Sequence, residues 1–448
     1  MWVAPLTIVI RMYVRRVGSG GEPGAVSAGA GRHGFWRRAW WLLFLSAFSW
    51  PVISVGAEAQ RARDGGPDSV ESLLEDGSQE HNNLLGIDLL SDWERTKQQI
   101  TEDTGLSFGI DYSSQFFTAA GVPDGAFSNA SAGMVRFFGK WELLNRGQVG
   151  SGTLNWKIEH RHRYGSIAPS AFSLNAGNVG VTGAPFSNQG ARLTNLYWRQ
   201  GLGERWVTYI GFLDATDFVD TYALASPWTG FSNLHFSTGS ASMALPNDAT
   251  LGAMLGGWLT DRLYVIASLG DLNSDPTNPF EGFETFFDES EFFTSVELGW
   301  TSSKDRFFMD NVHLTFWHVD DVAATGNPDG WGMNFSASYW IDDAFMPFLR
   351  GGFAEDGGSL LESSISAGVA VNLKDNRDLF GLAVNWGEPN ESTFGPGLGD
   401  QVGIEAFYRL QLTQAIRITP SVQLLINPAL NQEEELVPVF GLRGVVTF

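Results

Sequence analysis

The chain has no cysteine in its 448 residues. Disulfide frameworks and thiolate-held zinc or iron–sulfur centres are therefore excluded, which suits an oxidising compartment outside the cytoplasm. Charge is scarce as well, at 17% of residues, and cations are scarcer than anions: 28 Lys and Arg against 50 Asp and Glu leave a net charge of −22. A nucleic-acid surface needs a basic footprint, so no such partner is expected; the acidic excess reads as solvated loops on an exported protein. Beyond Gln60 no apolar run approaches the ~20 residues that a helix needs to cross a bilayer. Catalytic motifs are missing too: there is no Gly-x-Ser-x-Gly, phosphate loop or His-Glu-x-x-His. The seven histidines are dispersed, and the His160/His162 pair has no third ligand in view. Asp320-Asp321 and Asp342-Asp343 read as turn residues. No metal, cofactor or enzymatic activity is expected.

What is abundant is glycine, with 53 residues, and aromatics, at 13% with 33 Phe and 17 Trp. Such a chain is too hydrophobic for disorder and suits a large β-protein with many turns. Near the start, Arg37-Arg38 leads into the apolar stretch from Ala39, and Ala57-Glu58-Ala59 follows. A basic region, a short apolar core and an Ala-x-Ala site make a signal peptide, with cleavage expected after Ala59. Cleavage removes Arg11, Arg15, Arg16, Arg32, Arg37 and Arg38 against only Glu22 and Glu58, so the mature chain is still more acidic. Residues 1–59 are thus read as an N-terminal extension with a cleaved leader. Residues 60–104 form a polar segment, expected to be mobile to about Glu80 and then to hold a short helix. Ser91-Asp92-Trp93-Glu94 reads as its capping box and Gly105 as its stop.

From Gly105 to Phe448 the pattern has period two. Phe292, Thr294, Val296, Leu298 and Trp300 share one face, and Phe293, Ser295, Glu297 and Gly299 the other. Val312, Leu314 and Phe316 oppose Asn311, His313 and Thr315; Ile365, Ala367 and Val369 oppose Ser366 and Gly368. One face is mostly apolar and often ends in aromatics, while the other is small or polar. This is the pattern of ~10-residue transmembrane strands with a lipid face, a wet lumen and aromatic girdles. A soluble sandwich also alternates, but its polar face would carry Lys and Glu rather than Gly, Ser and Asn. Connections alternate between short (260–262, 341–343) and long (271–287, 326–330, 388–399). The expected fold is an all-β transmembrane antiparallel barrel over residues 105–448, with roughly 16 strands at about 20 residues per strand and connection.

The C-terminal region carries a resemblance. Glu405-Ala406-Phe407-Tyr408-Arg409-Leu410, Ile418-Thr419-Pro420-Ser421-Val422-Gln423, Asn427-Pro428 and Val439-Phe440-Gly441-Leu442-Arg443, ending at Phe448, resemble the carbohydrate-selective porin family of the OprB type. Looser matches lie at Gly270-Asp271-Leu272-Asn273, Phe348-Leu349-Arg350-Gly351-Gly352 and Asp92-Trp93. The family's Gly-rich stretch after the Asp-Trp pair is missing, since Glu94 follows directly. The resemblance spans about residues 84–448. It implies a 16-stranded barrel in the outer membrane of a Gram-negative bacterium and passive diffusion of small sugars. It also implies that Phe448 helps the barrel-assembly machinery recognise the chain. Outer-membrane lipids are further expected partners, and the chain is a homotrimer or a monomer. A general or ion-preferring porin, or a non-conducting surface barrel, are the alternatives.

The candidate pore-lining residues follow from register. Asn155, Lys157, Glu159, Arg161 and Arg163 share one face of a strand, and charges facing lipid would each cost about 2–4 kcal/mol near the midplane, so this face points inward. Asn195, Tyr197 and Arg199 form a second polar face, Glu405 and Arg409 a third, and Arg350 and Arg443 add isolated charges. Trp317 interrupts a polar face. Trp317 and Tyr197 are candidate stacking platforms for a pyranose, with packing under an inward loop as the simpler account.

Overall fold

The computed structural model describes residues 65–79, 81–88 and 90–448; the expected leader and its cleavage site lie outside them. Sixteen strands run in chain order: β1 (Leu106–Ala119), β2 (Asn129–Leu144), β3 (Gly152–Arg163), β4 (Gly190–Leu202), β5 (Trp206–Leu213), β6 (Thr250–Trp258), β7 (Leu263–Asp271), β8 (Phe292–Thr301), β9 (Asn311–Val319), β10 (Gly330–Ser338), β11 (Phe345–Asp356), β12 (Leu361–Leu373), β13 (Asp378–Pro389), β14 (Gln401–Gln411), β15 (Ile416–Ile426) and β16 (Leu436–Thr447). Each pairs antiparallel with its sequence neighbours, and β1 closes on β16 in one barrel. The seam runs from Asp111 opposite Thr447 to Ala119 opposite Val439. Closure leaves no strand edge unpaired, the condition for a sheet to sit in lipid.

Burial follows the two-residue period with the sense expected. On β8, Val296 and Leu298 are exposed while Ser295 and Glu297 are buried; on β9, Val312 and Phe316 are exposed while Asn311, His313 and Thr315 are buried. A water-soluble sheet would show the opposite. Phe448 is exposed, as are Phe440 and Leu442 of β16, and its N–H donates to the Ile110 carbonyl at 2.8 Å. Connections differ by end. At the end carrying the C-terminus they are mostly short, and Asp342 and Asp343 both adopt φ of 52°, the left-handed pair that a tight hairpin turn requires. At the opposite end, residues 164–189, 214–249 and 272–291 form long loops.

Among the described residues two helices precede the barrel, and both correct the sequence reading. The stretch expected to be mobile holds α1 (Val70–Ser78), capped by Ser69, whose hydroxyl accepts from the Ser72 amide. Its nine residues are too few to hold a helix alone; it docks on the lumen wall through fully buried Val70 and a 2.9 Å Glu71–Lys140 ion pair. Helix α2 (Ser91–Thr104) stops at Gly105 in the left-handed region as expected, but the capping box does not form. Ser91 is already helical, and Asp88 instead accepts from the amides of Leu90 and Ser91 at 3.1 Å. Glu94 pairs with Lys97 at 2.7 Å. Helix α2 sits at the rim, its Trp93 edge-on to Phe108 and its Lys97 donating to the Phe448 carbonyl at 3.2 Å.

Candidate functional site

The lumen is the site, and one loop dominates it. Residues 214–249 link β5 to β6 and fold inward, with most of their side chains buried. The segment is rich in Ser, Thr and Gly, so it packs closely. It turns sharply where Asp220, Ser240, Ala241 and Ala249 take positive φ. An irregular segment inside a barrel must find partners for its backbone and charges, and side chains from the strands supply them.

Each expected site residue can now be placed. On β3, Lys157 is fully buried and donates to Asp217 at 2.8 and 2.9 Å. Asn195 of β4 donates to the same carboxylate at 2.7 Å and accepts from the Asp214 amide at 2.8 Å. Glu159 receives the Arg161 guanidinium at 2.7 Å, and Arg161 also reaches Asp248 at 3.0 Å. Asn155 bonds locally to Thr153 at 3.0 Å. Arg163 shares their register but is exposed at the rim, donating to the Ser166 carbonyl at 2.9 Å. Arg350 is fully buried, pairs with Asp220 at 2.6 Å and lies over the Tyr222 ring at 4.1 Å. Glu405 accepts the amides of Ser232 and Asn233 at 2.8 and 2.9 Å. Arg443 donates to the carbonyls of Pro227 and Gly230 at 2.7 Å, and Arg409 to that of Thr229 at 3.3 Å. Most of the inward charges therefore hold the loop.

The two aromatic candidates also meet the loop. Trp317 donates to Asn334 at 3.0 Å and packs with Val219 and Met243. Tyr197 lies edge-on to Tyr209 and Phe218. Both side chains are buried. Arg199, further down β4, lines a cavity of about 640 Å³ at the short-turn end together with Trp258, Tyr264, Arg262 and Lys304.

Several residues escaped the sequence reading. Arg136 of β2 is buried, pairs with Asp111 at 2.6 Å and lies over the Trp228 ring at 4.3 Å. Arg192 pairs with Asp248. His313 meets Asp220 at 2.8 Å, and Glu297 accepts the Asp220 amide at 2.7 Å. His313 and Glu297 could have been found, since both sit on polar faces already assigned inward. The loop carboxylates could not, because the loop has no period. Burial pushes Asp214 up to about 7 and Asp217 to about 6; for Asp217 the Lys157 ammonium opposes the effect. Burial likewise lowers His235 to about 4. A second loop, 164–189, pairs with the first inside the lumen through a bridge between Thr182 and Asn233.

A closed barrel with an apolar skin, a polar interior and inward-folded loops defines a transmembrane β-barrel channel. The model of the carbohydrate-selective porin, OprB family, matches residues 144–381 and 322–448, which is more than half of the chain. The chain belongs to that family, whose members are channels rather than enzymes. Among solved structures it is similar to the high-pH form of Pseudomonas putida OprB, at 15% identity over 80% of this chain and 97% of that chain, with a TM-score of 0.62. The low-pH form of that protein gives 12% identity, coverage of 83% and 100%, and a TM-score of 0.49. A mutant of the Rh. blastica porin gives 11% identity, coverage of 77% and 100%, and a TM-score of 0.48. At these identities the likeness concerns the fold. No curated protein matches the chain.

Proposed function

We propose that this chain is a passive diffusion pore for small neutral sugars in the outer membrane of a Gram-negative bacterium. The observation that carries the reading, beside family membership, is the ladder of paired charges between β3 and the inward loop: Lys157 with Asp217, and Arg161 with Glu159 and Asp248. A sugar entering a narrow pore loses water from its hydroxyls. Charged donors and acceptors side by side replace that water, and because the charges are paired they offer an ion less net attraction. Arg163 at the rim and Arg199 at the far end stand where a solute would enter and leave and are the side chains proposed to touch it, while the ladder, buried against the loop, sets the charge of the wall beside it.

The same reading extends to biogenesis. The chain is exported behind a leader cleaved after Ala59. The assembly machinery recognises Phe448, which is exposed at the short-turn end. Liposome swelling with glucose, maltose and non-sugars of equal size tests the transport reading. Sugars are expected to enter faster; equal rates for all would leave a general pore. Absence of conductance in planar bilayers would instead make the chain a non-conducting surface barrel.

A further inference from the structure

The loop before β6 folds into the lumen, but the loop after β7 folds outward. Residues 272–291 carry a short helix, α3 (Gly282–Asp288), that lies on the outer wall of the barrel. The outward-facing side chains of β5 to β8 show this. Phe212 of β5 alternates with inward Tyr209 and Leu213 and stands opposite Leu251 of β6. A Cβ on buried Gly282 would lie 3.5 Å from an atom of each. Phe212 sits edge-on to Phe280 at 5.9 Å and to Phe283 at 5.5 Å, and Phe292 of β8 edge-on to Phe286 at 4.9 Å. Asp271, at the end of β7, is fully buried and accepts the Thr285 hydroxyl. The Pro276 carbonyl accepts the Leu193 amide of β4 at 2.9 Å, and the Leu272 amide donates to the Glu291 carbonyl at 3.0 Å. Phe212 is therefore 4% exposed, whereas Ile210, the next outward residue below it, is 43% exposed.

At about 100° per residue the segment has three faces. Gly282, Thr285 and Phe286 turn to the barrel. Glu281, Glu284 and Asp288 share a second face and are exposed. Phe280, Phe283 and Phe287 share the third and are exposed by 66%, 50% and 62%; Phe280 and Phe287 are the most exposed large apolar side chains among the described residues. In water such a row of rings would be unfavourable. Its position supplies the reason for it. Strands β5, β6 and β7 have 8, 9 and 9 residues, against 14 and 16 for β1 and β2. Trp206 and Phe212 are roughly 20 Å apart along β5 at ~3.3 Å per residue. At a tilt near ~40° that is about 15 Å of height, in an apolar band about 25 Å tall. With Trp206 at the lower boundary, the short strands leave the upper part of the band uncovered. Helix α3 stands there, and its phenylalanines continue the outward row of Trp206, Ile210 and Phe212.

We propose that α3 is a membrane anchor. Phe280, Phe283 and Phe287 insert among the acyl chains of the outer leaflet and complete the apolar belt over β5 to β7, while the acidic face meets the headgroup layer. Hydrocarbon is the occupant because the rings continue the surface that already faces it. The inference rests on the reading of the barrel as a membrane protein and is independent of the solute it passes.

The chain has no cysteine, so a single introduced thiol reports a single site. Phe283→Cys, Phe287→Cys, Leu298→Cys and Asp124→Cys, each in the full chain, are labelled with a nitroxide and folded into dioleoylphosphatidylcholine vesicles. Heat-modifiable migration verifies each barrel. Collision of the label with oxygen, which concentrates in hydrocarbon, is compared with collision with a neutral nickel chelate, which stays in water. Leu298 on the skin and exposed Asp124 between β1 and β2 set the two limits. The expected result is that oxygen exceeds nickel at Phe283 and Phe287, as at Leu298. Nickel access at both sites equal to that at Asp124, with Leu298 still in lipid, would overturn the anchor and leave the membrane barrel intact. Protection from both reagents, with dipolar broadening that disappears on dilution with unlabelled protein, would overturn it in favour of a second copy of the chain. Nickel access at Leu298 as well would overturn both the anchor and the membrane reading.

Discussion

Lys157 shows what a single side chain does in this lumen. It is fully buried, and three carboxylates gather near it. Asp217 is at 2.8 Å and Asp214 at 4.0 Å, while Asp68 offers its carbonyl. Burial raises all three acids, Asp68 and Asp217 to about 6 and Asp214 to about 7. The sign of the consequence follows from the direction of the shift. Above about pH 7 the acids are ionised; as pH falls through 7 to 6 they take up protons, whereas the lysine and arginines around them keep their charge. Acidification therefore makes the interior more positive. The reversal potential in a salt gradient is expected to move towards anion selectivity between about pH 8 and about pH 5, with most of the change centred near 6–7. Sequence periodicity shows that Lys157 points inward, because its neighbours two residues away are also polar. It does not show the partners, which lie in segments without a period. Arg136 is hidden for a different reason: Met134 and Phe138 flank it on the same inward face, so that face reads as apolar.

At the scale of elements, the loop 214–249 and the strands depend on each other. Asp220 is the densest anchor, joining Arg350 at 2.6 Å, His313 at 2.8 Å and the Gly239 amide at 2.6 Å. Removing one partner of a buried pair costs about 3–5 kcal/mol because the other charge is left without compensation. Asp220→Ala is expected to loosen the loop while the barrel still forms. Protease nicking within 214–249 should rise, and the swelling-rate ratio of glucose to maltose should fall towards that of a wider pore. A variant as resistant to protease as the parent would show that the anchor is dispensable. The strands were readable because each is stabilised by its own alternation. Loop conformation was not, since its anchors come from far along the chain: Ser232 and Asn233 bond to Glu405, and Gly230 to Arg443. Helix α1 was missed because its sequence is polar and acidic, and what orders it is the lumen wall.

For the whole molecule the governing fact is the inverted surface. Leu298 and Val296 face outward on β8 and are half exposed, whereas Ser295 and Glu297, which alternate with them, are buried. In water this arrangement would be destabilising; in hydrocarbon it is the stable one. A charge placed on the skin is expected to cost about 2–4 kcal/mol near the midplane. Leu298→Arg should therefore lower the folded fraction in lipid vesicles at a given urea concentration, read by heat-modifiable migration. Val446→Arg, at the short-turn rim, should do much less. Equal effects at the two positions would argue against lipid as the outer solvent. This level of organisation was the most legible in the sequence: strand number, facing and alternating connection length all follow from a repeated local rule.

The seam between Asp111 and Thr447 also constrains time. The first strand is made more than three hundred residues before the last, and until the last arrives both ends of the growing sheet expose unpaired edges. Pairing so remote in sequence is slow to form. The chain must therefore wait, unclosed, between the completion of β1 and the delivery of β16, and for that interval it is at its most prone to aggregate. The bond from the Phe448 amide to Ile110 lies at the rim of this seam, so the wait lasts until that rim is paired.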